Sequence, residues 1–400
     1  MRFAPIPYSL LPTPYSLNPM SFRDEFPICE NICYFNSASL GPFSNSVFFG
    51  MLSWTQQSTN GASKYWPLWY EKMLRAIPLS AKLVNAQDDE IALTRSTSEG
   101  LKIVAEGLPW EPGDNVVFPD NEFPANIYPW TFLANRGVEP RRVPLPDGKL
   151  TAAALEPYID NRTRLVSVSW VSYCTGWRAN IKEIAEMVHS HGALLCVDGI
   201  QGMGAFPYDV KDTDVDFLSV GAQKWLLSAQ GSGFFYCKNA VNGLLRNINF
   251  GWASVENHTD FSRSDWPEMK NAQRFMTATT ATPAWLTMTD SLETIFQYGQ
   301  ETITNQILKI RRYLIERLQQ FPVEFKTDIS QENDFLHGSG IIFFRIPEIG
   351  EEKLALIAQK FVEKGVELTV RNGGFRVSVH GFNNESDVDQ LIDALQQSFL

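Results

Sequence analysis

The sequence predicts an α/β protein: a large domain with a mostly parallel sheet flanked by helices, followed by a smaller C-terminal α+β domain. Three observations carry that expectation. Short apolar, β-branched runs alternate with helical patterns from about residue 90 to residue 237, as βα units feeding a parallel sheet do. Two of these runs, residues 194–197 and 215–220, are short and largely apolar, which is the pattern of strands buried on both faces. After about Pro283 the alternation gives way to a long helical stretch and then to shorter strands and helices.

Taken in order, residues 1–20 contain Pro-Tyr-Ser-Leu twice in a Pro-rich setting and read as a disordered N-terminal extension. Residues 21–45 form an arm ending in Tyr34-Phe35-Asn36-Ser37-Ala38-Ser39-Leu40-Gly41-Pro42. Its small, turn-forming residues fit the lining of a site and a plain loop equally well. The large domain is assigned to residues 46–284 and the small one to 285–400. Residues 48–84 are helical in pattern and rich in aromatics, a composition typical of a core or a subunit interface. Strands are expected at 91–94, 115–118, 138–143, 165–170, 194–198, 215–220 and 233–237, and helices at 125–135, 151–158 and 181–191. Between the first two strands, Ser96-Thr97-Ser98-Glu99 reads as a capping box opening a helix. In the C-terminal part the helical stretch 283–320 is broken near Gly299. Strands follow at 341–346, 366–370 and 375–379, with a helix at 353–364 and a last one from Glu385.

Composition narrows the function. A chain of 400 residues with 44% hydrophobic content can bury a large core. A formal net charge of −11 and the lack of a long Lys/Arg run argue against nucleic acid or an anionic membrane as partner, leaving a small molecule. Five cysteines without paired CxxC motifs fit a reduced, cytoplasmic protein. The five histidines lack metal-site spacing, and neither a GxGxxG nor a GxxxxGK[ST] stands where a nucleotide fold needs it.

Several residues then converge on one chemistry. Asp198 and Lys224 follow the strands 194–197 and 215–220, and open α/β sheets bind ligands at carboxyl ends of strands. Ser96 and Thr97 open a helix, where free N–H groups and the helix dipole favour an anion. Phe123 is an aromatic after a strand, and Arg376 is a cationic fork inside an apolar strand. Each alone has an ordinary structural reading: a surface lysine, an N-cap, an edge arginine. Together they match pyridoxal phosphate (PLP), which needs a phosphate cradle, a carboxylate for its ring nitrogen, a flat partner for its ring and a lysine amine. An arginine would hold the α-carboxylate of an amino-acid substrate by paired hydrogen bonds.

The segments Leu93-Thr94-Arg95-Ser96-Thr97-Ser98-Glu99-Gly100, Asn121-Glu122-Phe123-Pro124-Ala125-Asn126, Val197-Asp198-Gly199-Ile200-Gln201, Gln223-Lys224-Trp225 and Phe375-Arg376-Val377-Ser378 resemble, in order, those of the class V aminotransferase family of fold-type I PLP enzymes. That family includes cysteine desulfurases, kynureninases and isopenicillin-N epimerases. The resemblance implies that Lys224 forms the Schiff base with the cofactor, that Asp198 pairs with the pyridine nitrogen and that Gln201 contacts the phenolic oxygen. It assigns Ser96, Thr97 and Gln223 to the phosphate, Thr279 to the phosphate of a neighbouring subunit, and Asn36 with Arg376 to the substrate. It also implies a homodimer with a shared active site. Four departures bear on the reaction. Phe123 stands where desulfurases carry a His, and the loop Arg371-Asn372-Gly373-Gly374 has no cysteine. Cys174 reads as a packing residue, and Gly221 and Gln223 replace residues that are often Ser and His. The expected activity is that of an aminotransferase acting on an amino acid, with a lyase or epimerase as the alternative. A PLP-binding protein without turnover is the non-enzymatic alternative, against which Lys224, Asp198 and Arg376 together speak.

Overall fold

The structure, a computed structural model, describes residues 21–278 and 281–397. The Pro-rich extension 1–20 and Thr279 therefore lie outside the described residues. In chain order the strands are β1 (Cys33–Tyr34), β2 (Ile91–Thr94), β3 (Asn115–Pro119), β4 (Glu139–Val143), β5 (Thr163–Ser169), β6 (Leu194–Asp198) and β7 (Phe217–Gly221). They continue with β8 (Gly233–Cys237), β9 (Glu324–Phe325), β10 (Ile341–Arg345), β11 (Val366–Glu367), β12 (Thr369–Arg371) and β13 (Gly374–Ser378).

A seven-stranded sheet of order β2-β8-β7-β6-β5-β3-β4 forms the centre. The pairs β7/β6, β6/β5, β5/β3 and β3/β4 are parallel, and β8 runs antiparallel to both its neighbours. Strands β6, β7 and β8 bury nearly every residue, which accounts for their largely apolar sequence. Helices pack on both faces. On one face Ile184 and Val188 of the helix Ile181–Ser190 join Val166, Val197 and Leu218 in the core. On the other, Leu101 and Val104 of the helix Thr97–Gly107 pack with Phe217 and Phe235.

A second, four-stranded antiparallel sheet of order β12-β13-β10-β9 belongs to the C-terminal part. Its apolar side meets the helices Gln300–Leu318, Glu351–Glu363 and Glu385–Gln396 through Leu314, Phe361 and Leu391. The long helical stretch is two helices, Thr282–Tyr298 and Gln300–Leu318, divided at Gly299 with φ +85°, a conformation L side chains rarely adopt.

Several expectations differ in detail. Residues 125–135 are not one helix: a 3₁₀ turn Pro124–Asn126, a short α-helix Tyr128–Phe132 and a second 3₁₀ turn Leu133–Arg136 follow one another, because Pro124 and Pro129 remove backbone donors. The strand expected at 366–370 divides at Leu368, since β11 pairs in parallel with β1 whereas β12 pairs with β13. The strand β9 and the helix Gln331–His337 carry too few apolar residues in a regular period to be read from sequence.

The arm runs against the C-terminal elements before it reaches the centre. Arg23 forks onto Asp387 at 2.7 and 2.9 Å, Phe26 packs on Phe382, and Asn36 bridges to Ser378 beside β13. Beyond that, Gly41 N donates to Gln223 O at 2.8 Å.

Candidate active site

The carboxyl ends of β6 and β7, the start of the helix Thr97–Gly107, the arm and the face of β12–β13 surround one cleft. Asp198 is the last residue of β6 and is 2% exposed. Its Oδ1 accepts from Ile200 N at 2.9 Å. Burial pushes its carboxyl up to about 6, against the pull of the Ile200 N–H and the Lys224 charge.

Lys224 follows β7 by three residues and is half-buried. Its amine is brought down to about 8, first by burial, with the charges of Arg376 and Arg371 adding to the shift and Asp198 opposing it. The Phe123 ring centre lies 5.4 Å from Lys224 Nζ. Gly41 allows the arm to press against this loop, since a Cβ there would lie 2.1 Å from Lys224 O.

The anion-binding candidates cluster next to these residues. Ser96 is the N-cap and accepts from Glu99 N at 3.3 Å. Thr97 Oγ1 and Gln223 Oε1 are both buried without a hydrogen-bond partner. A Cβ on Gly221 would come within 2.6 Å of Gln223 Oε1 and 3.1 Å of Thr97 Oγ1, so the glycine leaves a small cradle open between them. Buried polar atoms are satisfied in folded proteins as a rule, so orphans that face one cradle mark the place of a ligand.

Across the cleft, Arg376 is 3% exposed in the middle of β13. It donates to Tyr173 O at 2.9 Å and Ser39 Oγ at 2.6 Å, while its Nε has no partner. Asn36 stands beside it with its amide engaged: Thr369 Oγ1 donates to Oδ1 at 2.5 Å, and Nδ2 donates to Glu367 at 3.2 Å. Gln201 is also occupied, accepting from Trp225 Nε1 at 2.8 Å and donating to Ala38 O at 3.1 Å. Cys174, in the loop 172–176, is partly buried beside Arg376.

Other residues at the cleft escaped the sequence reading. Glu122 is buried and accepts from Ser169 N at 2.6 Å and from Ser169 Oγ. Burial, with the Asp198 charge adding, raises it to about 7 against the Ser169 hydrogen bonds. Its signal was its place directly before Phe123. Ser39, Tyr173, Thr369 and Arg371 were missed because their roles depend on the fold bringing separate loops together.

Residues 54–391 match the family described as aminotransferase class-V. The chain belongs to this family. Over 94% of its length the class-V chain is 27% identical to a probable cysteine desulfurase of Methanothermobacter thermautotrophicus, covering 96% of that relative. It is 26% identical over 95% of its length to an uncharacterized aminotransferase of Schizosaccharomyces pombe, of which it covers 96%. Among solved structures, a C-DES mutant with glycine covalently linked to the PLP cofactor aligns with a TM-score of 0.83 at 23% identity, over 93% of this chain and 98% of that one. The cystine C-S lyase C-DES in complex with cysteine persulfide aligns with the same TM-score at 24% identity, over 92% and 98% of the two chains. These alignments show that the class-V chain has the fold of PLP-dependent enzymes.

Proposed function

We propose that the class-V chain is a PLP-dependent enzyme acting on an amino acid, and that Lys224 both binds the cofactor and moves the substrate α-proton. The observation that carries this reading is the convergence of orphaned Thr97 Oγ1 and Gln223 Oε1, buried Asp198 and Lys224 on one cleft. The donor set fits the cofactor: hydroxyl and helix-start N–H groups for a phosphate, a carboxylate for a pyridine nitrogen and an amine for a carbonyl. Bound there, PLP supplies an electron sink for the pair left when the α-proton departs.

The residues divide the work as follows. Asp198 would hold a protonated ring nitrogen, because a cation opposite a buried carboxylate relieves its desolvation. Phe123, next to Lys224, would offer the cofactor a flat partner and cannot carry a proton. Lys224, lowered to about 8, has an appreciable neutral fraction near pH 7 and so serves as nucleophile and base. Arg376 orients the α-carboxylate, with Asn36 and Ser39 steadying the surrounding polar network. Gln201 supports the cofactor edge, and Ser96 acts as the N-cap of the phosphate helix. Thr279 is proposed to reach the phosphate of a second copy in a cytoplasmic homodimer. Residues 46–284 would act as the cofactor-binding unit and 285–400 as the unit that brings Arg376.

Transamination is the first reading, since Phe123 and the cysteine-free loop 371–374 leave out groups used for sulfur delivery. A β-lyase is the second, favoured by relatives named cysteine desulfurase. Mixing holoprotein with an amino-acid panel separates them: keto acid with pyridoxamine phosphate marks transamination, and pyruvate with ammonia marks elimination. Lys224→Ala is expected to abolish the visible absorbance of the lysine-bound cofactor. Turnover surviving in that variant would sink the role given to Lys224.

A further inference from the structure

The face of the β12–β13 hairpin that looks into the cleft carries two arginines. Side chains alternate along a strand, and in the antiparallel register Thr369 faces Arg376 while Arg371 faces Gly374. Thr369, Arg371 and Arg376 therefore share one face. The turn between the strands is fixed by left-handed Asn372 and Gly373, and Arg345 donates to Asn372 O at 2.7 Å.

Tyr173 ties this face to the reacting centre. Its backbone oxygen accepts from Arg376, and its ring lies under the Arg371 guanidinium at 4.6 Å. The same ring meets Phe123 edge-on at 5.4 Å, and Phe123 in turn covers Lys224. Arg371 thus stands one aromatic ring further from Lys224 than Phe123 does, on the same hairpin face as Arg376.

Neither arginine has a carboxylate partner among the described residues, and the Nε atoms of both are buried without a hydrogen-bond partner. Elsewhere Arg23, Arg141 and Arg311 are paired with Asp387, Asp160 and Asp334, whereas Arg178 and Arg345 donate to backbone carbonyls; Arg371 and Arg376 differ from both groups in lying together on one face of the cleft. Two like charges on one hairpin face repel. The Arg371 charge acts on Arg376, and both charges act on Lys224, in the direction that disfavours the protonated forms of Arg376 and Lys224. A chain with 45 acidic residues against 34 basic ones leaves this pair without an internal counterion, so the missing negative charge belongs to a ligand.

We propose that the substrate is an amino acid carrying a second anionic group, its α-carboxylate held by Arg376 and its side-chain anion by Arg371. The assignment rests on the PLP reading above and adds the substrate class to it. A monocarboxylic amino acid satisfies Arg376 and leaves Arg371 unpaired, so the second arginine gives selectivity through a charge that only the acidic substrate neutralises.

The test uses the full chain with and without PLP. Aspartate, glutamate and 2-aminoadipate are compared with alanine and leucine by the change each makes in the visible absorbance of the holoprotein. Succinate is compared with butyrate by titration calorimetry on the chain without PLP. At least one acidic amino acid should bind about 10- to 100-fold more tightly than alanine, as a charge-assisted pair of hydrogen bonds provides. The same preference should favour succinate over butyrate. In Arg371→Gln, checked by its melting temperature and its cofactor absorbance, both preferences should collapse toward one. In Arg371→Lys, which keeps the charge, part of each preference should return. Equal affinities in the unaltered chain overturn the proposal, as does an Arg371→Gln loss that is the same for acidic and neutral ligands, which would mean both arginines hold one carboxylate. Failure to form any cofactor band while succinate keeps its preference would count against the PLP reading alone.

Discussion

The Glu122 carboxyl receives the backbone N–H and the hydroxyl of Ser169, and Ser169 is the register partner of Asp198 across β5 and β6. The acid therefore links the residue that precedes the Phe123 ring to the strand end beside Asp198. Removing it leaves two partly buried donors without that acceptor. Glu122→Ala is expected to lose about 1–3 kcal/mol of stability, the cost of leaving such groups unpaired, as measured by urea denaturation. Glu122→Gln keeps an acceptor for Ser169 N and should lose less; an equal loss in both variants would show that the Ser169 bonds contribute little. At this scale the sequence displayed Lys224, Asp198 and Arg376, because each is a charged residue at or within an apolar strand. It hid Tyr173 and Ser39, whose side chains look like those of any loop until the fold sets them against Arg376.

Among elements, the helix Ile181–Ser190 is anchored at its C-terminal end by more than its apolar face. His189 contacts Asp216 at 2.8 Å and Asp214 at 3.4 Å, a pairing that its place at a helix end does not reveal in the sequence. Asp216 also accepts from Leu195 N at 2.8 Å, so the ion pair joins the helix to β6. The hydrogen bond to Asp216 raises the imidazole above its usual range despite burial. A raised folded-state pKa contributes stability that is fully present below the unfolded value of about 6.5 and is lost as pH rises through the folded value. The difference in denaturation midpoint between the unaltered chain and His189→Gln should therefore be largest near pH 5.5 and shrink toward pH 8.5. A gap that widened with pH would contradict the pairing. The central strands of the large sheet were legible because burial on both faces favours apolar residues along them. The two-residue strands β1 and β9 were not, since pairing rather than local preference makes them strands.

For the whole molecule, the fold class followed from the order of elements and the apolar runs among them, and the candidate site lies where that order brings strand ends together. The proposed subunit association would use the surface instead. Trp66, Trp252 and Phe261 are 37%, 45% and 81% exposed and join Tyr70 and His258 in one aromatic patch. Exposed patches of this kind mark interfaces. Sedimentation should give about twice the 45.2 kDa of one chain, and Phe261→Asp with Trp252→Asp should shift it toward a single copy. A monomer at all concentrations would refute the association.

The arm, finally, limits how this protein can be trimmed. It leaves Asp387 and Phe382, runs beside Ser378 and lies under Gln223 and Lys224, so it touches both halves of the cleft on its way. A deletion that began at residue 45 would take away the edge partner of β11, the Ser39 hydroxyl that steadies Arg376 and the backbone that backs the lysine loop in a single cut. The shortened chain would be not a smaller catalyst but a cleft open along one side, with its lysine and its arginine no longer referenced to each other.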